Sequence, residues 1–278
     1  MRSILGAQEW PSDMNLNYFK VIARDASGLA ATCGLLVAVR WLICIALTLP
    51  QCLKSRNLQP ADIRMGNGPF VAKRQGARAK LSGDRVISGI REIWVRDVYL
   101  KDDYLSISNS AVVVDLGANL GNFTNLALAQ HADVRVIAVE PSLSLSESLC
   151  RAVASNGWSG RAAIKRAFIG IPTQVQDHDA SNPDYAGAPS LTEQAFLEEF
   201  DISRIDFLKC DIEGSEFFML ERDSRILSIT HNLAIEIHAW GGSVPTFLSR
   251  ISELGFDIGS LTKEPNGTCI ALCRRRAM

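Results

Sequence analysis

The 278-residue chain has no CxxC pair, no large excess of charge of either sign, and no basic stretch leading straight into an apolar core near its start. Each absence removes a class of protein. The cysteines, at 33, 44, 52, 150, 210, 269 and 273, are odd in number and scattered, so the reading is a reducing compartment rather than a disulfide framework. Cys269 and Cys273 lie four apart, but two thiols alone do not make a metal site. A formal net charge of −1 gives no bulk electrostatic reason to expect nucleic acid. Residues 1–28 are mixed and polar, which argues against a cleavable signal peptide.

What is present centres on Ala111–Gly121, AVVVDLGANLG. Ala111 to Val114 read as a strand buried on both faces of a parallel sheet, and the polarity then changes abruptly at Asp115. Gly117 and Gly121 permit a tight turn with close backbone approach, with Asn119 between them, and Asn122–Gln130 has the composition of a helix opening on that turn. A second apolar run, Val134–Val139, ends in Glu140. An acid at that strand tip, roughly 20 residues beyond the turn, is where nucleotide-binding α/β folds accept hydrogen bonds from ribose hydroxyls. Dinucleotide folds space their glycines G-x-G-x-x-G to rest a pyrophosphate on the helix N-terminus. Here the spacing is Gly117-x-x-x-Gly121 with Asp115 in front, and an acidic turn repels a pyrophosphate. It suits a ligand carrying an ammonium and a sulfonium, which is S-adenosylmethionine.

DLGANLGNFT, VIAVEPS, SLTEQAFLEEFDISRIDFLKCDIEGSEFFML and LAIEIH together resemble the FkbM-type methyltransferases, a branch of the Rossmann-like S-adenosylmethionine-dependent enzymes. The family segment corresponding to Ile205–Glu216 reads much like LLKIDVEGAE, and IDFLKCDIEGSE matches it closely. The resemblance runs from about Leu81, through REIWVRDVY, to the C-terminus. It implies that the Leu81–Ser108 segment lies over the cofactor site and lines the substrate cleft.

The remaining pattern is a doubly wound, mostly parallel α/β sheet. Strand candidates are Val112–Asp115, Val134–Glu140, Ala162–Ile169, Ile205–Asp211 and Leu233–His238, alternating with helical segments. A helix over Ser144–Asn156 has Ser142 or Ser144 as cap and Gly157 just past its end, and another begins near Pro245 and stops at Gly255. Asn266-Gly267 between two apolar runs is a hairpin signal within Asp257–Arg274. Thr173–Pro189 is polar and turn-rich, a substrate loop or tolerated insertion, with His178 read as a solvated residue.

Domain organisation follows: residues 81–278 as the methyltransferase domain, and residues 1–80 as an extension. Leu29–Leu49 is apolar or small except for Thr32, Arg40 and Thr48, ends at Pro50, and approaches the length of a membrane-crossing helix. Arg40 costs about 2.5–3.5 kcal/mol on insertion scales, which six to ten aliphatic residues roughly offset. Lys54–Arg85 carries eight basic residues against Asp62 and Asp84. Such a bias keeps a catalytic domain cytoplasmic and against an anionic leaflet. A soluble helix with a solvated basic linker explains the same residues, and both readings stay open.

The chemistry belongs at the carboxyl ends of the strands. Lys209 and Asp211 mark one tip, and Glu236 and His238 another. Charge inside a doubly covered strand needs a partner, so Lys209 and Glu236 either pair with each other or meet substrate. His238 is the candidate base, since methyl transfer to a hydroxyl requires proton removal; Asp211 holds the methionine ammonium or orients the acceptor; Glu213 caps the next helix. Asp211, Glu213, Glu236 and His238 fit no dedicated metal motif. The family resemblance implies an O-methyltransferase acting on a small molecule, sugar or glycan. An NAD-type oxidoreductase and a silent cofactor-binding scaffold stand as alternatives.

Overall fold

The computed structural model describes residues 14–101, 104–170, 182–220, 224–264 and 267–277, with side chains from Tyr18 onward. Two long helices open it, α1 (Met14–Cys33) and α2 (Leu35–Ser55), followed by the short α3 (Gln59–Arg64). An antiparallel hairpin, β1 (Phe70–Arg74) and β2 (Ala77–Leu81), leads into α4 (Val86–Gly89), which continues as a π-helical turn over Ile90–Val95.

The central sheet takes up β3 (Val112–Leu116), β4 (Arg135–Val139) and β5 (Ala162–Lys165), then, past the small pair β6 (Phe168–Ile169) and β7 (Ser190–Leu191), β8 (Ile205–Cys210), β9 (Thr230–Ile237), β10 (Phe256–Lys263) and β11 (Cys269–Arg275). Its order is β10-β11-β9-β8-β3-β4-β5. β9, β8, β3, β4 and β5 run parallel, and β11 pairs antiparallel with both β9 and β10. This is the doubly wound sheet with a terminal hairpin that the alternation of apolar runs implies. Val113, Val114, Leu116, Phe207, Leu208 and Ile235 are wholly buried, as both-faces coverage requires.

The helix after β4, α6 (Leu143–Ser155), is capped by Ser142, whose Oγ accepts from the Leu145 N–H at 3.1 Å. Pro245 sits in the first turn of the helix Val244–Glu253, and Gly255 follows it with φ +92°. Gly267 takes φ +88° in the β10–β11 turn; its neighbour Asn266 lies outside the described residues. The same holds for residues 171–181, and so for His178. The rest of that loop is anchored, because the Leu143 N–H donates to the Asp184 carbonyl at 2.8 Å and the Ser144 N–H to the Asp184 carboxylate at 2.9 Å.

The N-terminal region differs from its sequence reading. The apolar run is split at Gly34, which takes φ +98°, and α2 continues through Pro50 to Ser55. A proline removes one backbone donor, and the helix tolerates that here because Pro50 and Ala46, the residue whose carbonyl loses its partner, are both on the exposed face. The segment read as a basic linker contains α3 and the β1–β2 hairpin, whose Phe70, Ala72, Ala79 and Leu81 are buried. Asp25 of α1 is wholly buried and meets Arg96 at 2.5 Å and Arg91 at 3.4 Å. Asp62 of α3 accepts from Trp41 Nε1 of α2 at 2.8 Å and from Arg91 at 3.2 Å. The first 80 residues are thereby tied to the π-helical turn that approaches the sheet tips.

Candidate active site

The turn after β3 demands glycine. Gly117 takes φ +73°, and a Cβ there would lie 1.7 Å from the Asp211 carbonyl oxygen; one on Gly121, at φ +78°, would lie 2.2 Å from Leu149 Cδ1. Asn119 between them takes φ +52°, a region asparagine tolerates. The N–H groups of Gly117 and Ala118 donate to the Val139 carbonyl at 3.0 and 2.9 Å, which binds the turn to the tip of β4. Glu140 follows directly. Its carboxylate accepts from the Asn119 N–H at 2.8 Å and the Ser142 N–H at 2.9 Å, and burial nevertheless pushes it up to about 7.

Beneath this turn lies Asp115, wholly buried rather than facing the cleft. It accepts from Thr124 Oγ1 of α5 (Asn122–Gln130) at 2.6 Å and lies 3.4 Å from Lys209 Nζ. Lys209, opposite Asp115 in the β3–β8 register, donates to the Gly117 carbonyl at 2.6 Å and stands 3.6 Å from Asp211. Burial disfavours its ammonium, but Asp115 and Asp211 outweigh that and hold it charged. Lys209 thus pairs with these two acids and braces the turn. It does not pair with Glu236, because Asp115 of the neighbouring β3 and Asp211 at the end of its own strand already supply the compensating charge.

Glu236 and His238 leave β9 beside Asp211. The His238 ring is buried, with Nδ1 donating to Glu216 Oε1 at 3.1 Å and Nε2 at 3.6 Å from Glu213, 3.7 Å from Asp211 and 3.9 Å from Glu236. Burial alone favours a neutral ring. The hydrogen bond and charge of Glu216, with Asp211 and Glu213, reverse this and raise the imidazole to about 9. Burial, then Asp211, pushes Glu236 strongly upward, so it holds its proton at neutral pH.

Three contributors escaped the sequence reading. Tyr99, buried between the π-helical turn and β3, donates its phenol to Glu236 Oε2 at 3.3 Å and lies 3.5 Å from Asp211. Glu92 in the π-helical turn is raised by burial and by the charge of Asp211. Glu216, wholly buried, fixes His238 through its side chain and through the His238 N–H at 2.5 Å, while its other oxygen accepts from the Gly214 N–H at 2.8 Å. Glu216 therefore satisfies the backbone after β8, in place of the capping role expected of Glu213, which turns to His238 at φ +52°. The signal for Glu216 was its position at the end of IDFLKCDIEGSE; nothing in the spacing of Tyr99 or Glu92 marked them.

Every sequence-designated residue falls in one neighbourhood at the carboxyl ends of β3, β4, β8 and β9. The Methyltransferase FkbM domain matches residues 115–258, a little over half of the chain. The protein belongs to the FkbM methyltransferase family. That match begins at Asp115 and encloses Glu140, Lys209, Asp211, Glu216, Glu236 and His238. No curated protein matches the chain. Among solved structures, it is similar to an NADB-Rossmann superfamily protein from Streptococcus agalactiae, at 16% identity and TM-score 0.42 over 66% of this chain and 68% of that one. A putative tRNA (m1A22) methyltransferase from Streptococcus pneumoniae is similar at 15% identity and TM-score 0.40, over 62% and 67%. TrmK of M. capricolum, in complex with S-adenosylhomocysteine, is similar at 14% and 0.39, over 61% and 63%.

The cofactor of this FkbM protein is S-adenosylmethionine, and the residues present fit it. The turn is closed to any side chain at Gly117, and the acids beside it, Glu140 and Asp211, suit a ligand with a ribose and a positive ammonium, while Asp115, expected at the cofactor, instead lies under the turn with Lys209. Glu140 beside the turn would take the ribose hydroxyls and Asp211 the ammonium. Asp211, Glu213 and His238 also bring ligand-type atoms within 4.8 Å of one another.

Proposed function

We propose that this FkbM-family enzyme methylates a hydroxyl oxygen on a small molecule, sugar or glycan, with His238 as base. The observation that carries the reading is the His238 ring, fixed at Nδ1 by Glu216 and directing Nε2 toward Asp211 and Glu236 beside the glycine turn. S-adenosylmethionine supplies an activated methyl on a sulfonium that leaves as a neutral thioether. The protein therefore has two tasks, to align the acceptor and to take its proton. The acceptor hydroxyl would donate to Nε2, which would keep its proton as the hydroxyl oxygen takes the methyl that S-adenosylmethionine supplies. The protonated Glu236, held by Tyr99, orients a neighbouring acceptor hydroxyl, an arrangement that favours a polyol over an apolar phenol. Lys209 acts through the turn, holding the Gly117 carbonyl and Asp115 in place.

Purified full-length protein, S-adenosylmethionine and a panel of hydroxyl acceptors test this. His238→Ala abolishes turnover and leaves cofactor affinity within a few fold. Wild-type rates in that variant would remove His238 from the mechanism, and methylation of amines alone would replace the oxygen acceptor.

A further inference from the structure

The outward face of α2 is mostly apolar, interrupted by the exposed Arg40, Gln51 and Lys54. Leu35, Leu36, Val39, Ile43, Leu47 and Leu53 stand exposed along it, Leu36 by 86% and Leu47 by 57%, over about 27 Å of helix. Ile63 of α3 adds to the stripe at 56% exposure. Patches of this extent mark a surface meant to be covered. The opposite face is already committed to the domain, with Trp41 wholly buried, while the exposed Arg40 reaches back to donate to the Met65 carbonyl at 2.9 Å.

Charge decides what covers it. Between residues 18 and 80 both acids, Asp25 and Asp62, are buried and paired, and every exposed charged side chain is basic. They flank both ends of the stripe. Lys73 and Arg78 share a groove with Gly34 at the start of α2, and Lys54, Arg56 and Arg64 are exposed around its end. A second copy seated on this stripe would bring basic ends against basic ends in either helix orientation, and Asp84, the exposed acid that follows in sequence, is already paired with Arg85 at 3.2 Å. An anionic bilayer surface satisfies both features at once, taking the apolar face into the acyl boundary and the basic ends among the headgroups.

We infer that α2 is an interfacial anchor: the helix lies in the plane of an anionic membrane surface, packed on the enzyme by its inner face, and does not cross the bilayer. The ties of Trp41 and Arg40 to α3 are what keep it lying down. A crossing would strip Asp62 of its Trp41 donor and expose Arg91.

The test is flotation of the full-length protein with vesicles of phosphatidylcholine alone and with about one third phosphatidylserine. Expected are binding to the anionic vesicles about tenfold tighter than to the neutral ones, reduction by salt, and release by alkaline carbonate. Leu36→Glu/Ile43→Glu should lose the binding about tenfold while keeping the wild-type melting temperature, since both side chains are exposed, and Lys54→Glu/Arg64→Glu should lose the preference for anionic lipid. Three results would overturn the inference: no binding to either vesicle by folded protein, retention through carbonate with α2 protected from protease, or a dimer in lipid-free solution that the apolar variants dissociate.

Discussion

At the scale of single residues, the proposed role of His238 turns on its protonation. The ring must be neutral to accept a proton, and its pKa stands at about 9 because Glu216, Asp211 and Glu213 favour the imidazolium. At pH 7 about one molecule in a hundred is then competent, so kcat/KM should rise about tenfold per pH unit through neutrality and level off above about 9. Glu216→Gln keeps the Nδ1 hydrogen bond and removes its charge. Its pH profile should move toward the ordinary histidine value, with a gain in kcat/KM at pH 7 that a merely structural role would not produce. An unchanged profile would take Glu216 out of the tuning. The individual strand-tip residues were legible in the sequence because a charge at the end of a buried apolar run is costly unless a partner or a ligand meets it. Glu216 and Tyr99 were not, since each acquires its role from a partner distant in the chain, Glu236 in the case of Tyr99 and His238 in that of Glu216.

At the scale of elements, the turn between β3 and α5 and the packing of α2 on α3 each hinge on a single residue, Gly117 and Asp62. Gly117→Ala forces a Cβ into the Asp211 carbonyl and a side chain into positive φ, a strain on the order of 1–3 kcal/mol. Denaturant unfolding should record that loss, together with weakened cofactor binding; a variant as stable as wild type would mean the turn relaxes. Asp62→Ala removes the partner of Trp41 and Arg91 in a buried setting, where breaking one side of such a pair costs about 3–5 kcal/mol. The unfolding midpoint should fall accordingly. The boundaries of most sheet strands were readable to within a few residues, because their β-branched runs are bounded by polar turns; Ala162–Ile169, read as one strand, instead divides into β5 of the central sheet and β6, which pairs with β7 apart from it. The helix boundaries near residue 50 were not: a proline usually ends a helix, and here its unpaired carbonyl faces outward. The ordered hairpin at β1–β2 was passed over because its basic residues read as a linker, although Ala77–Leu81 alternates Arg78 and Lys80 outward with Ala77, Ala79 and Leu81 inward.

At the scale of the whole molecule, the N-terminal elements share a hydrophobic core with α5 and one face of the sheet, running from Tyr18 and Leu29 through Ile87, Ile90 and Trp94 to Phe123 and Phe207. A chain beginning at residue 81 should therefore fail to fold stably, since it exposes that face and leaves Arg91 and Arg96 without Asp25 and Asp62. Circular dichroism and a cooperative melt decide this, and a cooperative transition near the full-length value would show the extension to be dispensable. The family and the cofactor were legible because the glycine turn, the strand-tip acid and the IDFLKCDIEGSE stretch are local in sequence. The way residues 1–80 join the core was not, because ion pairs such as Asp25 with Arg96 have no local signature.

The most direct measurement is calorimetric titration of the full-length protein, wild type and Glu140→Ala, with S-adenosylmethionine, S-adenosylhomocysteine and NAD. Micromolar binding of the two sulfur ligands alone is expected, weakened about tenfold or more in the variant for loss of the ribose acceptor. Binding of NAD in their place, or no binding of any of the three by folded protein, would contradict the assignment of the glycine turn and Glu140 to S-adenosylmethionine.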